Sequence, residues 1–126
     1  MTIAQIDIAK DLELQLTIVT VKGDASAAEI SKTILTHNNA QLTRLILWGL
    51  SQATLETLTS ADIQSFVRTT KKFIEKRAGG KTAVVVPTDL GFGMARIYDS
   101  FQEVTQSIVS HMTFRDKASA LKWLLV

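Results

Sequence analysis

A chain of 126 residues, 46% apolar and 21% charged, suits one compact domain around one hydrophobic core and is too apolar for intrinsic disorder. The formal net charge of +2 is too small to imply nucleic acid, and the absence of cysteine excludes a disulfide framework, a thiol nucleophile and a thiolate metal site. There is no basic lead or apolar stretch of signal-peptide length at Met1–Asp7 and no apolar run of membrane-spanning length, so a soluble cytoplasmic protein is expected.

Ala4, Ile6 and Ile8 alternate with polar residues, the period of a half-buried strand. A turn is expected near Lys10-Asp11, after which Leu12, Leu14, Leu16 and Ile18 resume the alternation. Val19 and Val21 then put apolar groups on the other face as well. The pattern predicts two antiparallel strands, the second more central. Gly23-Asp24 breaks the second strand, and Ser26-Ala27-Ala28-Glu29 has capping-box spacing. Ala27, Ile30 and Ile34 carry the helix on to His37-Asn38-Asn39. Leu45–Trp48 is short and apolar, as expected of a buried strand, and Gly49 to Thr57 is expected to be loop.

The next helix is predicted from Thr59 or Ser60, with Ile63, Phe66, Val67, Phe73 and Ile74 as its buried stripe and Ala78-Gly79-Gly80 as its stop. Lys81–Val86, with three consecutive valines, is the clearest strand. Leu90, Met94, Ile97, Phe101, Val104 and Ile108 step by four and three along one long amphipathic helix. A strand around Met112 and Phe114 follows, then a last helix capped by Asp116 with Ala120, Leu121 and Leu124 facing inward. The predicted class is α/β: a single domain with a mixed sheet of about five strands and about four helices.

Two nucleotide-like motifs fail on chemical grounds. Gly79-Gly80-Lys81-Thr82 ends like a phosphate loop, but Glu75 stands where the first glycine is required, and a strand rather than a helix follows. Gly91-Phe92-Gly93-Met94-Ala95-Arg96 begins like a dinucleotide fingerprint, but Arg96 occupies its third small position. What survives is a helix amino terminus at Thr88 and Asp89, where free amides can meet an anion, with Gly91 and Gly93 allowing close approach. The competing explanation is a Thr88 cap and glycines that serve tight packing.

His37 and His111 have no clustered ligands, so no metal site is expected. The serines lack a nucleophile elbow, and Asp62, Asp89 and Asp99 could act as acid or base only if folding gathered them. No enzyme chemistry and no cofactor are expected. Arg68, Lys72 and Lys76 form a basic stripe, with Lys71 and Glu75 able to pair. Such a stripe could meet phosphate, an acidic protein or an anionic membrane surface, but a solvated helix face explains it more simply. Phe66 and Phe73 belong to the apolar stripe and are not available to stack on bases, so nucleic acid is not an expected partner.

The order of two strands, then three helix–strand pairs and a last helix, resembles the STAS fold of anti-sigma-factor antagonists, the sporulation stage II AA-like family. The resemblance is carried by Val21-Lys22-Gly23, by Lys81–Val86, by Gly91-Phe92-Gly93-Met94-Ala95-Arg96, and by Phe114-Arg115-Asp116 with Ala118, Ala120, Leu121 and Trp123. It implies a bacterial, non-enzymatic regulatory domain that binds a protein partner or a second copy of itself as a dimer. It also implies a phosphorylated serine at a helix amino terminus, usually in an Asp-Ser pair. Here there is no such pair; Glu56-Thr57 or Thr59-Ser60-Ala61-Asp62 takes its place, with Ser60 the nearest phospho-acceptor candidate and an unphosphorylated helix cap the equal alternative for it. The rival expectation is a small-molecule or lipid pocket between the sheet and the long helix, with Thr88, Asp89, Gly91 and Gly93 at its mouth and Trp48 inside.

Overall fold

The structure, a computed structural model, describes residues 4–39, 42–54, 58–71, 74–104 and 108–126. Glu56-Thr57, Lys72 and Phe73 lie outside the described residues, as do the side chains of His37, Ile74, Leu90, Phe101 and Val104. Five strands form one sheet in the order β1-β2-β3-β4-β5: β1 (Gln5–Asp11), β2 (Leu16–Gly23), β3 (Leu45–Ala53), β4 (Lys81–Val85) and β5 (Ser110–Phe114). Only β1 runs antiparallel to its neighbour. The helices are α1 (Ala27–Asn39), α2 (Ser60–Lys71), α3 (Asp89–Val104) and α4 (Lys117–Leu124), with a 3-10 turn at Ile74–Arg77. The mixed α/β class expected from the sequence is the observed one.

Sheet alternation sorts the apolar residues onto two faces. Val19, Val21 and Ile46 point to the face covered by α1 and α2, where Ile30, Ile34, Ile63 and Phe66 meet them. Leu16, Leu45, Leu47, Ala83 and Val85 point to the opposite face and pack on Ala120 and Leu124 of α4. Complete burial of side chains such as Leu47 and Leu124 contributes roughly 2 kcal/mol each before entropy is counted.

Four local expectations shift. The hairpin turn falls at Leu12–Gln15 rather than near Lys10-Asp11. The Asp11 carboxylate accepts from the amides of Glu13 and Leu14 at 3.1 and 3.2 Å, and Gln15 takes φ +52°. Leu12 and Leu14, which extend the alternation in sequence, are therefore exposed turn residues. β3 continues to Ala53 because Gly23 and Lys22 of β2 pair with Ala53 and Gln52. A 3-10 turn at Ile74–Arg77 takes the place of the expected last part of α2. Among the described residues, the inner side of α3 is carried by buried Gly91, Ala95 and Asp99 together with Met94, the seam residue that packs on the core as expected, while Ile97 and Ile108 are exposed. Thr113 of β5 donates to the Asp99 carboxylate at 2.7 Å, which accounts for a polar residue on the inner side of the helix.

The Gly79–Gly80 segment also has a structural purpose. Gly79 takes φ +78°, and a Cβ on Gly80 would lie 2.2 Å from the carbonyl oxygen of Arg44, so the chain can cross there only as glycine. The Arg77 guanidinium donates to the carbonyls of Thr43, Arg44 and Lys81 and to the Thr82 hydroxyl, at 2.9–3.2 Å. Burial lowers its pKa to about 10, which leaves it charged at neutral pH. Lys81, the residue in the phosphate-lysine position, donates instead to the carbonyls of Trp123 and Val126 at 2.8 and 3.1 Å. It closes the carboxyl end of α4 onto the sheet.

Candidate functional site

In open parallel sheets, ligands and partners meet the loops at the carboxyl ends of the strands. Here those loops lead into α1, α2, α3 and α4, and their first turns are built by short-range hydrogen bonds. Ser26 and Glu29 form the expected capping box, with both bonds at 3.1 Å. Thr59 and Asp62 form a second: the Asp62 amide donates to the Thr59 hydroxyl at 3.2 Å, and the Thr59 amide donates to the Asp62 carboxylate at 2.9 Å. Thr59 is thus the cap of α2. Ser60 is the first helical residue and is exposed beside it. The Thr59-x-x-Asp62 spacing was the sequence signal that separates the two residues.

At α3, the Gly91 amide donates to the Thr88 hydroxyl at 3.1 Å, so Thr88 caps the helix. Asp89 is 95% exposed and pairs with Arg115 at 2.7 Å, Arg115 being 48% exposed. Arg115 also donates to the Pro87 carbonyl at 3.1 Å and lies 4.3 Å from the centre of the Phe92 ring. It thereby ties the β5–α4 connection to the start of α3. Sequence reading gave Arg115 no role; its place directly after β5, beside the end of β4, was the available signal.

Gly91 is buried. Gly93 is exposed, and a Cβ there would meet nothing within 4 Å, so packing within the chain does not require that glycine. Asp116 caps α4; hydrogen bonds from the Ser119 amide and then its hydroxyl hold its carboxyl below the ordinary carboxylate range. Among the described residues, no group of three His, Asp or Glu side chains could hold a metal ion.

Beneath these first turns, between the sheet and the helices, lies an apolar cavity of about 90 Å³. Trp48, Leu50, Leu58, Phe66, Gly91 and Met94 are in its wall. Of the residues expected at a pocket, Trp48 and Gly91 line it, while Thr88, Asp89 and Gly93 are not among its lining residues. Leu58 also packs on the cluster of Val84, Val86 and Ala95. The segment that presents Ser60 is therefore seated on the same core as α3, and the structure brings Ser60 and the Thr88–Gly93 turn to one end of the sheet on neighbouring connections.

An α/β sheet of this order, with an antiparallel first strand and a lone helix on one face, is the STAS-like, SpoIIAA-like fold. An anti-sigma factor antagonist from Mycobacterium paratuberculosis matches it with a TM-score of 0.60 at 14% identity, over 96% of this chain and 93% of that one. An uncharacterized protein of the DUF3478 family with a SpoIIAA-like fold, from Shewanella loihica PV-4, matches with a TM-score of 0.57 at 14% identity and the same coverage. No protein-family model and no curated protein sequence matches the chain.

Proposed function

We propose that the chain is a non-enzymatic regulatory domain that binds a protein partner at the carboxyl ends of its strands, through the surface around Ser60 and the Thr88–Gly93 turn. The observation that carries this reading is the placement of Ser60. Its side chain is exposed on the first turn of α2, with the capping work done by Thr59 and Asp62. The fold shared with an anti-sigma factor antagonist supports a partner-binding role. A phosphate on Ser60 would add charge at that surface without dismantling the cap.

Gly93 supports the same surface. Glycine inside a helix costs about 1 kcal/mol relative to alanine, and nothing within the chain crowds this position. A partner backbone approaching α3 closely would account for it. The test is incubation with host extract and ATP, followed by phosphopeptide mapping and by capture with wild-type, Ser60→Asp and Gly93→Trp baits. The expected result is phosphate on Ser60 and one captured protein lost from both variants. No modification, together with equal capture by all three baits, would end the proposal.

The cavity favours a second reading, in which a small apolar ligand sits between the sheet and α3. Its size weighs against a lipid. About 90 Å³ is well below the roughly 300–1,000 Å³ of drug-sized sites and below the about 150 Å³ that accommodates benzene. Native mass spectrometry of freshly purified protein decides: a stoichiometric bound mass supports this reading, and an apo mass removes it.

A further inference from the structure

The opposite end of the sheet combines two surface features that the partner-binding reading does not use. Leu16, Leu45, Lys81 and Ser110 are aligned across β2, β3, β4 and β5 and mark the amino ends of the parallel strands. With neighbouring strands about 4.8 Å apart, this row spans roughly 15 Å. Beyond it stand the Leu12–Gln15 turn, Arg44, Gly79–Gly80 and Ile108, together with the end of α4 that Lys81 holds.

Four large apolar side chains protrude there: Leu12, Ile108 and Leu125 are each 49% exposed and Leu14 is 47% exposed. Single exposed leucines are ordinary; here four apolar tips share one end of the domain with its cations. Among the described residues, the exposed cations of this end are Lys10, Arg44, Lys71, Lys76 and Lys122, against the carboxylates of Asp11, Glu13 and Glu75. Asp11 is already engaged by the amides of its own turn.

We propose that this end docks on an anionic lipid surface. The cations would lie at the headgroups, and the tips of Leu12, Leu14 and Ile108 would enter the interface. Among the described residues no helix is long and apolar enough to cross a membrane, so the association is peripheral. A lipid surface suits the combination because it takes apolar tips and cations on one plane. A nucleic-acid backbone gives apolar tips nothing to enter. Trp123, near this end, is held between Phe114 and Lys81 and is not available for base stacking.

The proposal does not depend on the partner-binding reading and is tested separately, by sedimenting the full chain with vesicles of phosphatidylcholine alone or mixed with phosphatidylglycerol. Binding is expected only to the anionic vesicles. It should weaken strongly in high salt, where the Debye length contracts from about 10 Å at 0.1 M to about 3 Å at 1 M. Each cation removed near such a surface lowers partitioning about fivefold, so Arg44→Glu with Lys76→Glu should reduce it by at least about 25-fold. Leu12→Asp with Leu14→Asp should abolish it. Circular dichroism of both double variants checks that they fold, and Ser60→Asp should sediment like wild type. No sedimentation of wild type with anionic vesicles overturns the proposal, as does equal sedimentation of folded double variants. Binding to a DNA duplex that survives Leu12→Asp with Leu14→Asp, without vesicle binding, also overturns it and assigns the face to polyanions.

Discussion

At the carboxyl ends of the parallel strands, each helix opens with a carboxylate: Glu29, Asp62, Asp89 and the cap Asp116. At the amino ends stand Lys71, Lys76, Arg77, Lys81 and Lys122. Helix dipoles favour this polarity, because negative charge is stabilised at helix starts and positive charge at helix ends. The wiring differs more than the charge. The capping bonds at the carboxyl end join residues three apart, as in Ser26–Glu29, Thr59–Asp62 and Asp116–Ser119. At the amino end, Arg77 reaches back 33 and 34 residues, and Lys81 reaches 42 and 45 forward. One end is a frame in which distant segments depend on one another. The other is a set of largely self-sufficient turns whose side chains can change with little cost to the fold.

The same substitution at the two ends gives the widest separation. Gly80→Ala places a Cβ against the Arg44 and Arg77 carbonyl oxygens, at 2.2 and 2.9 Å, and backbone cannot move aside as a side chain tip would. It is expected to cost about 3 kcal/mol or more in urea denaturation, or to prevent folding. Gly93→Ala, with open space around it, is expected to stabilise by about 1 kcal/mol. Equal effects from the two would break the distinction between frame and turns.

Acid should find the frame first. Burial pushes the His111 imidazole from the ordinary 6.5 down to about 4, and the Arg77 guanidinium acts in the same direction. The Tyr98 ring faces it edge-on, with ring centroids 5.7 Å apart. Because the folded pKa lies below the unfolded one, the unfolded chain binds more protons between about pH 6.5 and pH 4. Stability contributed by neutral His111 is therefore complete above pH 6.5 and is lost as pH falls through that window, by roughly 3 kcal/mol at most. His111→Gln should flatten the fall of the denaturation midpoint with pH across that range. An unchanged slope would mean that the imidazole is solvated in the folded protein.

The two ends also differ in how legible they were. β4 and the Ser26–Glu29 box could be read because their signals are local: a valine run after glycines, and a cap with its partner three residues on. Leu12 and Leu14 misled because alternation reports a face without saying whether anything covers it. The burial of Asp99 on the inner side of α3 could not be read, because it rests on a bond to Thr113, fourteen residues away. Nothing near Arg77 in sequence announces its partners at Thr43 and Arg44. Of the candidate site, the positions of Ser60 and Thr88 were readable as helix starts. The Arg115 link between Asp89 and Phe92 was not, since it is made only when β4 and β5 pair.

That link is a long-range side-chain tie at the carboxyl-end turns, and its exposed surroundings make it weak. A half-exposed ion pair contributes about 0–1 kcal/mol and an exposed cation–ring contact about 0.5–1 kcal/mol. Arg115→Ala should therefore lower stability by only about 1 kcal/mol, with the loss shrinking as salt rises. Amide hydrogen exchange should show the effect at Gly91 and Phe92, which donate to Thr88, before it shows in β4.

The smallest expected effect separates structure from surface most cleanly. Thr59→Ala removes the acceptor for the Asp62 amide and should cost about 1 kcal/mol, the usual loss for a helix cap. Ser60→Ala, one residue along and exposed, should change stability by less than about 0.5 kcal/mol. If Ser60→Ala costs as much as Thr59→Ala, the serine is serving the helix, and its exposure is incidental. If the denaturation curves separate as expected, any loss of partner capture in Ser60 variants belongs to the surface. Ser60 is then free to carry a charge-changing modification that the fold does not register.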